Sequence, residues 1–135
     1  DYLKRTGPLS HPDELAQRPT LYYEAADEPQ PQWLLVGPDG ARTTAKLRPT
    51  LMCREHETIL NAAIQGLGIA MMPDVACLPA LARQQLVVVL PEWSAPELTL
   101  HLAYSARRGM LPSVRALIDF LSEHLPQIVM QNSVR

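Results

Sequence analysis

The chain has 135 residues, an apolar share of 47% and a net charge of −2. That is enough for one domain with a real core. No apolar run approaches the roughly 20 residues of a membrane-spanning helix, and no basic stripe is present to neutralise nucleic-acid phosphates. Two cysteines, Cys53 and Cys77, do not make a disulfide framework and fit a reduced, cytoplasmic setting.

In chain order, Tyr2 to Arg5 reads as one helical turn ended by Gly7-Pro8. Ser10 to Leu15 opens a short helix, with Pro12 tolerated in its first turn, Asp13 and Glu14 at the positive end of the dipole, and Pro19 as its stop. Leu21 to Tyr23 is a strand candidate, and Glu28 to Gln32 a loop carrying Pro29 and Pro31. Trp33 to Val36 and Ala41 to Leu47 flank Gly37-Pro38-Asp39-Gly40, a hairpin signal. Leu51 to Cys53 continues as a strand.

Residues 57–73 are the most ordered stretch of pattern. Ile59, Leu60, Ala63, Ile64 and Leu67 recur at helical spacing. Gly68 is then expected to take the left-handed position that stops a helix, with Ile69 packing back on Ile64. Ile69 to Met72, closed by Pro73, reads as a central strand covered on both faces. A second helix is expected over 75–85 with Pro79 in its first turn. Leu86 to Leu90 reads as a β-branched strand stopped by Pro91, and Leu98 to Tyr104 alternates with period two. Ser113 to Leu125 is a long amphipathic helix with Val114, Leu117, Ile118, Leu121 and Leu125 on one stripe, and no structural signal follows Pro126. Helices alternate with strands around one hairpin, which predicts an α/β sheet layered with helices plus an antiparallel component. The chain opens without the strand expected before Tyr2.

Several chemistries fail on spacing. Gly66-Leu67-Gly68 closes a helix, whereas a dinucleotide loop leaves a strand and opens one. Cys53 and His56 lack further ligands at metal-site spacing, so no metal is expected. There is no Gly-x-Ser-x-Gly elbow and no paired acid and base, so the chain does not read as an enzyme and needs no cofactor.

The segment Arg54-Glu55-His56-Glu57-Thr58 lies between a strand end and a helix start. Free amides there suit a carboxylate or another anion, and Arg54 has the fork to hold one bidentately. The alternative is plain helix capping, with Glu55 and Glu57 favouring the dipole and Arg54 balancing them.

With these pieces in order, the chain resembles the effector-binding domain of LysR-type transcriptional regulators. The residues that carry the resemblance are Tyr2-Leu3 with His11 to Leu15, and Trp33-Leu34 before Gly37 to Gly40. Next come Ala62-Ala63 with Gly66 to Ala70 and Pro73, and Leu86 to Leu90 with Pro91-Glu92-Trp93. The last are Leu102 and Tyr104 before Arg107-Arg108, and Val114 to Leu121. The resemblance implies an incomplete type-2 periplasmic-binding-protein-like α/β lobe. Residues 1–96 are expected to form the second lobe, and 97–135 the strand and helix that return to the first. A small effector, an anion by the reading of Arg54, would bind between the lobes, with Cys53, Arg54, Glu55 and His56 as its contacts here and Met72 and Pro73 as lesser ones. The turn is charged where many relatives carry small hydroxyl residues. DNA would be reached only through a helix-turn-helix domain absent from this chain, and homo-oligomers are implied. The alternative reading is a solute-binding protein of the same fold serving transport, which a signal peptide and an oxidising compartment would favour.

Overall fold

A computed structural model describes residues 2–24, 30–97, 101–104 and 110–131, with side chains through 129. It contains two compact units, Asp1–Pro96 and Glu97–Arg135. In the first, α1 (Tyr2–Thr6) and a 3-10 helix (Pro12–Gln17) lead into β1 (Thr20–Tyr23). A hairpin follows, β2 (Gln32–Val36) and β3 (Arg42–Lys46), then β4 (Pro49–Cys53), α2 (His56–Ile64), β5 (Ile69–Ala70) and α3 (Asp74–Ala82). The second unit holds α4 (Pro112–Gln131).

The 3-10 helix starts where the sequence places it. His11 Nδ1 accepts from the Asp13 amide, while Glu14 Oε1 accepts from the amides of Ser10 (2.9 Å) and His11 (3.0 Å). This reciprocal box satisfies donors that a helix start leaves open. It also holds the Glu14 carboxyl below its ordinary value of 4.5, through the Ser10 amide first, then the Ser10 hydroxyl and the His11 amide.

β4, β1 and β5 form a parallel sheet in that order, with Tyr22 opposite Met52, Tyr23 opposite Cys53 and Leu21 opposite Ala70. The central strand is therefore β1, and β5 is an edge strand among the described residues, which corrects the central placement expected for Ile69 to Met72. Successive side chains of β1 enter opposite layers, as period two requires. Leu21 packs with Ile59 and Ala62 of α2. Tyr22 joins Leu15, Trp33, Leu35, Ala45 and Leu47, the layer formed by the 3-10 helix and the hairpin. The hairpin pairs Leu34 with Thr44 and Val36 with Arg42, as its turn signal predicts. Ser94 then bonds Val36 in both directions, at 2.8 and 2.9 Å, and fixes the chain after residue 90 against β2.

The stop of α2 differs from the expectation by two residues. Gly66, with φ +72°, takes the left-handed position; its amide bonds Ala63 O (2.9 Å) and the Leu67 amide bonds Ala62 O (3.1 Å). That is a Schellman pattern. The residue after the left-handed position is accordingly Leu67, which is exposed, and not Ile69. Gly68 serves closeness instead: a Cβ there would lie 2.7 Å from Pro19 O and 3.1 Å from its carbonyl carbon. The Ile69 amide bonds that same oxygen at 3.0 Å, so β5 docks on β1 through this gap.

Other expectations change for local reasons. Pro79 lies in the second turn of α3, past the residues whose amides are free of intrahelical bonds. Leu86 to Leu90 forms no strand. Gln84 just before the run and Leu90 at its end are left-handed, at φ 57° and 54°, and Val87 and Val88 face solvent with no strand beside them among the described residues. Of Leu98 to Tyr104, residues 98–100 lie outside the described set and 101–104 are exposed and irregular. Residues 28 and 29 of the expected loop also lie outside it, and Gln32 begins β2. Helix α4 runs through Pro126 to Gln131, because one missing amide removes one bond without ending a 20-residue helix.

Two stability tests follow from this packing. Gly66→Ala should cost about 1–2 kcal/mol for its left-handed backbone. Gly68→Ala should cost about 3 kcal/mol, since the opposing atoms are backbone of the sheet and cannot swing aside. Urea unfolding ranks the two, and equal losses would remove the close-approach role of Gly68. For Glu14, a lowered folded value means that its stabilising contribution is complete above its ordinary value and is lost as pH falls through the folded one. An NMR titration should place its midpoint below 4.5, the ordinary value, and Ser10→Ala should raise that midpoint.

Candidate functional site

The carboxyl ends of β1 and β4 lie side by side because the two strands are parallel. Their last pair is Tyr23 with Cys53, and the Glu24 amide donates to Cys53 O at 2.9 Å, which extends the ladder by one residue. Beyond it the β4 chain turns at Arg54 and Glu55 and enters α2 at His56. The amino end of α2 therefore opens at the strand ends, where ligands gather in open α/β sheets.

The turn is held by four contacts. The Cys53 thiol donates to Glu55 O at 3.4 Å. The Thr58 hydroxyl donates to Glu55 Oε2 at 2.6 Å. Glu55 is the N-cap yet gives its carboxylate to this hydroxyl and makes no side-chain bond to the helix amides. His56 stacks on Tyr23, with ring centroids 3.8 Å apart and planes 20° from parallel. Arg54 Nε donates to Glu24 Oε2 at 3.4 Å, and both side chains are largely open to solvent, 66% and 44% exposed. Glu24 thus meets the Arg54 side chain directly, while Glu55 belongs to the same turn and Glu57 to the first turn of α2.

The sequence-predicted residues divide into two sets. Cys53, Arg54, Glu55 and His56 do form one continuous turn. Met72 is joined to it only through packing: it and Cys53, both half-buried, lie against the Leu21, Ile59 and Ala62 cluster beneath α2. Pro73 is exposed and serves as the N-cap of α3. Within that helix the Cys77 thiol is pushed up by burial first and by the Asp74 carboxylate second, which disfavours a reactive thiolate. Reading the sequence missed Tyr23 and Glu24. Their role depends on a parallel pairing with a strand some thirty residues on, and no local pattern announces that.

The turn is an open ledge. A recess of about 400 Å³ in the same unit is lined by Ala16, Gln30, Pro31, Lys46, Leu47 and Arg48, away from the turn. Among the described residues no group of three or more His, Cys, Asp or Glu is placed to hold a metal, and no helix is long and apolar enough to cross a membrane. What the turn offers chemically is a guanidinium, a stacked aromatic pair and uncapped first-turn amides: groups that bind and orient.

Known proteins resemble this chain in sequence and fold. The family model described as the LysR substrate binding domain matches residues 1–126. The HTH-type transcriptional regulator PtxR of Pseudomonas aeruginosa is 27% identical over 92% of this chain. The uncharacterized HTH-type transcriptional regulator YhjC of Escherichia coli K12 is 30% identical over 90% of it. The chain spans 39% and 40% of the lengths of these two relatives. Among solved structures, full-length AphB, the Vibrio cholerae virulence activator described as a member of the LTTR protein family, superposes with a TM-score of 0.71 at 26% identity. That match covers 91% of this chain and 41% of AphB. The regulatory domain of AphB from Vibrio vulnificus gives 0.67 at 24% identity, over 91% and 60%, which speaks to the fold alone. The α/β sheet flanked by helices is thus that of these regulatory domains, of the type-2 periplasmic-binding-protein-like class. The named relatives are transcriptional regulators rather than transport proteins or enzymes. The chain belongs to the LysR substrate-binding domain family.

Proposed function

We propose that this chain is the effector-sensing part of a LysR-type transcriptional regulator acting in the bacterial cytoplasm. Residues 1–96 serve as the second lobe, and 97–135 return the chain to a first lobe that lies largely outside it. A small molecule binds between the lobes and contacts Cys53, Arg54, Glu55 and His56, with Met72 and Pro73 at the margin. DNA is held by a separate helix-turn-helix domain. The observation that supports this reading best is the β4–α2 turn, where a charged fork and uncapped amides meet at the carboxyl ends of the parallel strands.

The effector is an anion on this reading, a carboxylate for preference, because Arg54 matches its two oxygens. The regulator responds by population shift. A ligand that favours one lobe arrangement tilts the equilibrium by its difference in affinity for the two states, and by nothing else. Arg54→Ala in the full-length protein should weaken small carboxylates about tenfold or more, as expected for losing a charge-assisted pair. Calorimetric titration measures this, and unchanged affinity would take Arg54 out of the site.

The same reading has the regulator act as a homo-oligomer. On α4, Leu117 and Ile128 are 55% and 51% exposed, and Val114 and Val129 also face solvent. These positions fall on one stripe of a 3.6-residue helix, together with Leu121 and Leu125. Such a stripe is wider than a solvated helix face requires. The 135-residue chain by itself should self-associate through it, and Leu117→Asp should lower its mass by light scattering. A monomeric parent chain would refute this.

A further inference from the structure

Resting on the reading that the β4–α2 turn holds an anionic effector, we propose that Glu24 is a built-in competitor for Arg54. It thereby determines which anions the turn accepts. Glu24 is placed for this by backbone structure. Its amide bonds Cys53 O at 2.9 Å, so the last rung of the β1–β4 ladder brings it beside the residue that follows Cys53. The two side chains then meet through a single contact, Arg54 Nε to Glu24 Oε2 at 3.4 Å.

The form of that contact matters more than its existence. It is long, uses one nitrogen and lies in solvent, which makes it a weak ion pair. It leaves the Nη1 and Nη2 edge of the guanidinium without a protein partner among the described residues. A ligand carboxylate can take that edge with two parallel bonds and exceed what Glu24 offers. A single-atom anion such as chloride can make no fork and gains little over Glu24. The nearby carboxylates do not play the same part. Glu55 is occupied by the Thr58 hydroxyl, and Glu57 sits in the first turn of α2, where the helix dipole favours it. The Tyr23–His56 stack holds the neighbouring side chain of the turn in place, so the exchange at Arg54 proceeds without rebuilding the turn.

Glu24 also repels any anion that approaches Arg54. Through water, a like charge at several ångströms changes a dissociation constant by about threefold. Orienting Arg54 through one long contact is worth less than that, so removing the charge should tighten binding.

The test uses the full-length regulator and calorimetric titration with acetate, succinate and benzoate at fixed ionic strength, with and without added chloride. Glu24→Gln should tighten the best-bound carboxylate about threefold and make chloride a better competitor. In an Arg54→Ala background the competition is gone and only the repulsion through water remains, so the same change should tighten any residual binding less than it does in the parent. If Arg54→Ala weakens binding but Glu24→Gln leaves it unchanged or weaker, the competitor role is wrong while the anion site stands. If no carboxylate binds the parent protein, or Arg54→Ala has no effect, the anion site falls and this inference with it. A merely structural Glu24 would not alter the discrimination between carboxylate and chloride.

Discussion

Burial of β1 on both faces is the constraint from which the rest of the first unit follows. Leu21 is 1% exposed and faces α2, while Tyr22 is 3% exposed and faces the hairpin layer. Fully burying side chains of this size stabilises by about 1.5–3 kcal/mol each. A one-residue slip in register would exchange the two faces and lose both. With β1 so held, β4 and β5 must flank it in parallel, and their carboxyl ends must share one edge. The geometry of the β4–α2 turn is therefore set by core packing and not by the charged residues of the turn, whose own contacts are exposed and weak.

The passage from α2 to β5 shows how tightly that arrangement is drawn. Two glycines two residues apart have different tasks. Gly66 reverses the chain, and Gly68 lets it pass Pro19 O without a side chain between. A helix must end and a strand must dock within four residues, and a single glycine cannot do both. This spacing keeps α2 pressed on Leu21, so the start of α2 is held at the strand ends by its far terminus.

Much of this was legible in the sequence. Helix α2 showed its 3.6 period, the hairpin its Pro-Asp-Gly turn, and the 3-10 helix its proline and acids, because in each case the signal lies within a few neighbouring residues. The stop of α2 was readable in kind but not in position, since either glycine suits a left-handed residue and only contact with Pro19 separates them. Leu86 to Leu90 misled because β-branched composition reports a preference, whereas a strand needs a partner and none pairs with it among the described residues. The site divides along the same line. The charged turn from Cys53 to His56 stands in the sequence as a strand end followed by a helix start. Tyr23 and Glu24, which stack on and bond to that turn, belong to it only through a long-range pairing.

That division bears on how the turn would work as a sensor. An exposed pair such as Arg54 with Glu24 is worth roughly 0–1 kcal/mol in water. It therefore commits the open lobe to little, and the guanidinium is released at small cost. On the proposed reading, closing the first lobe over the turn would change the balance. Water leaves, the effective dielectric falls, and every charge interaction strengthens. Arg54 with a carboxylate on its open edge then gains, whereas Arg54 facing Glu24 alone would bury a poorly matched pair, and such pairs do not repay their lost hydration. The difference between those two closed states is the differential affinity that a population shift requires. A pair that is weak in the open lobe is for that reason suited to a switch. A strong bidentate bond between Arg54 and Glu24 would have satisfied the guanidinium in both states and left a ligand nothing to select.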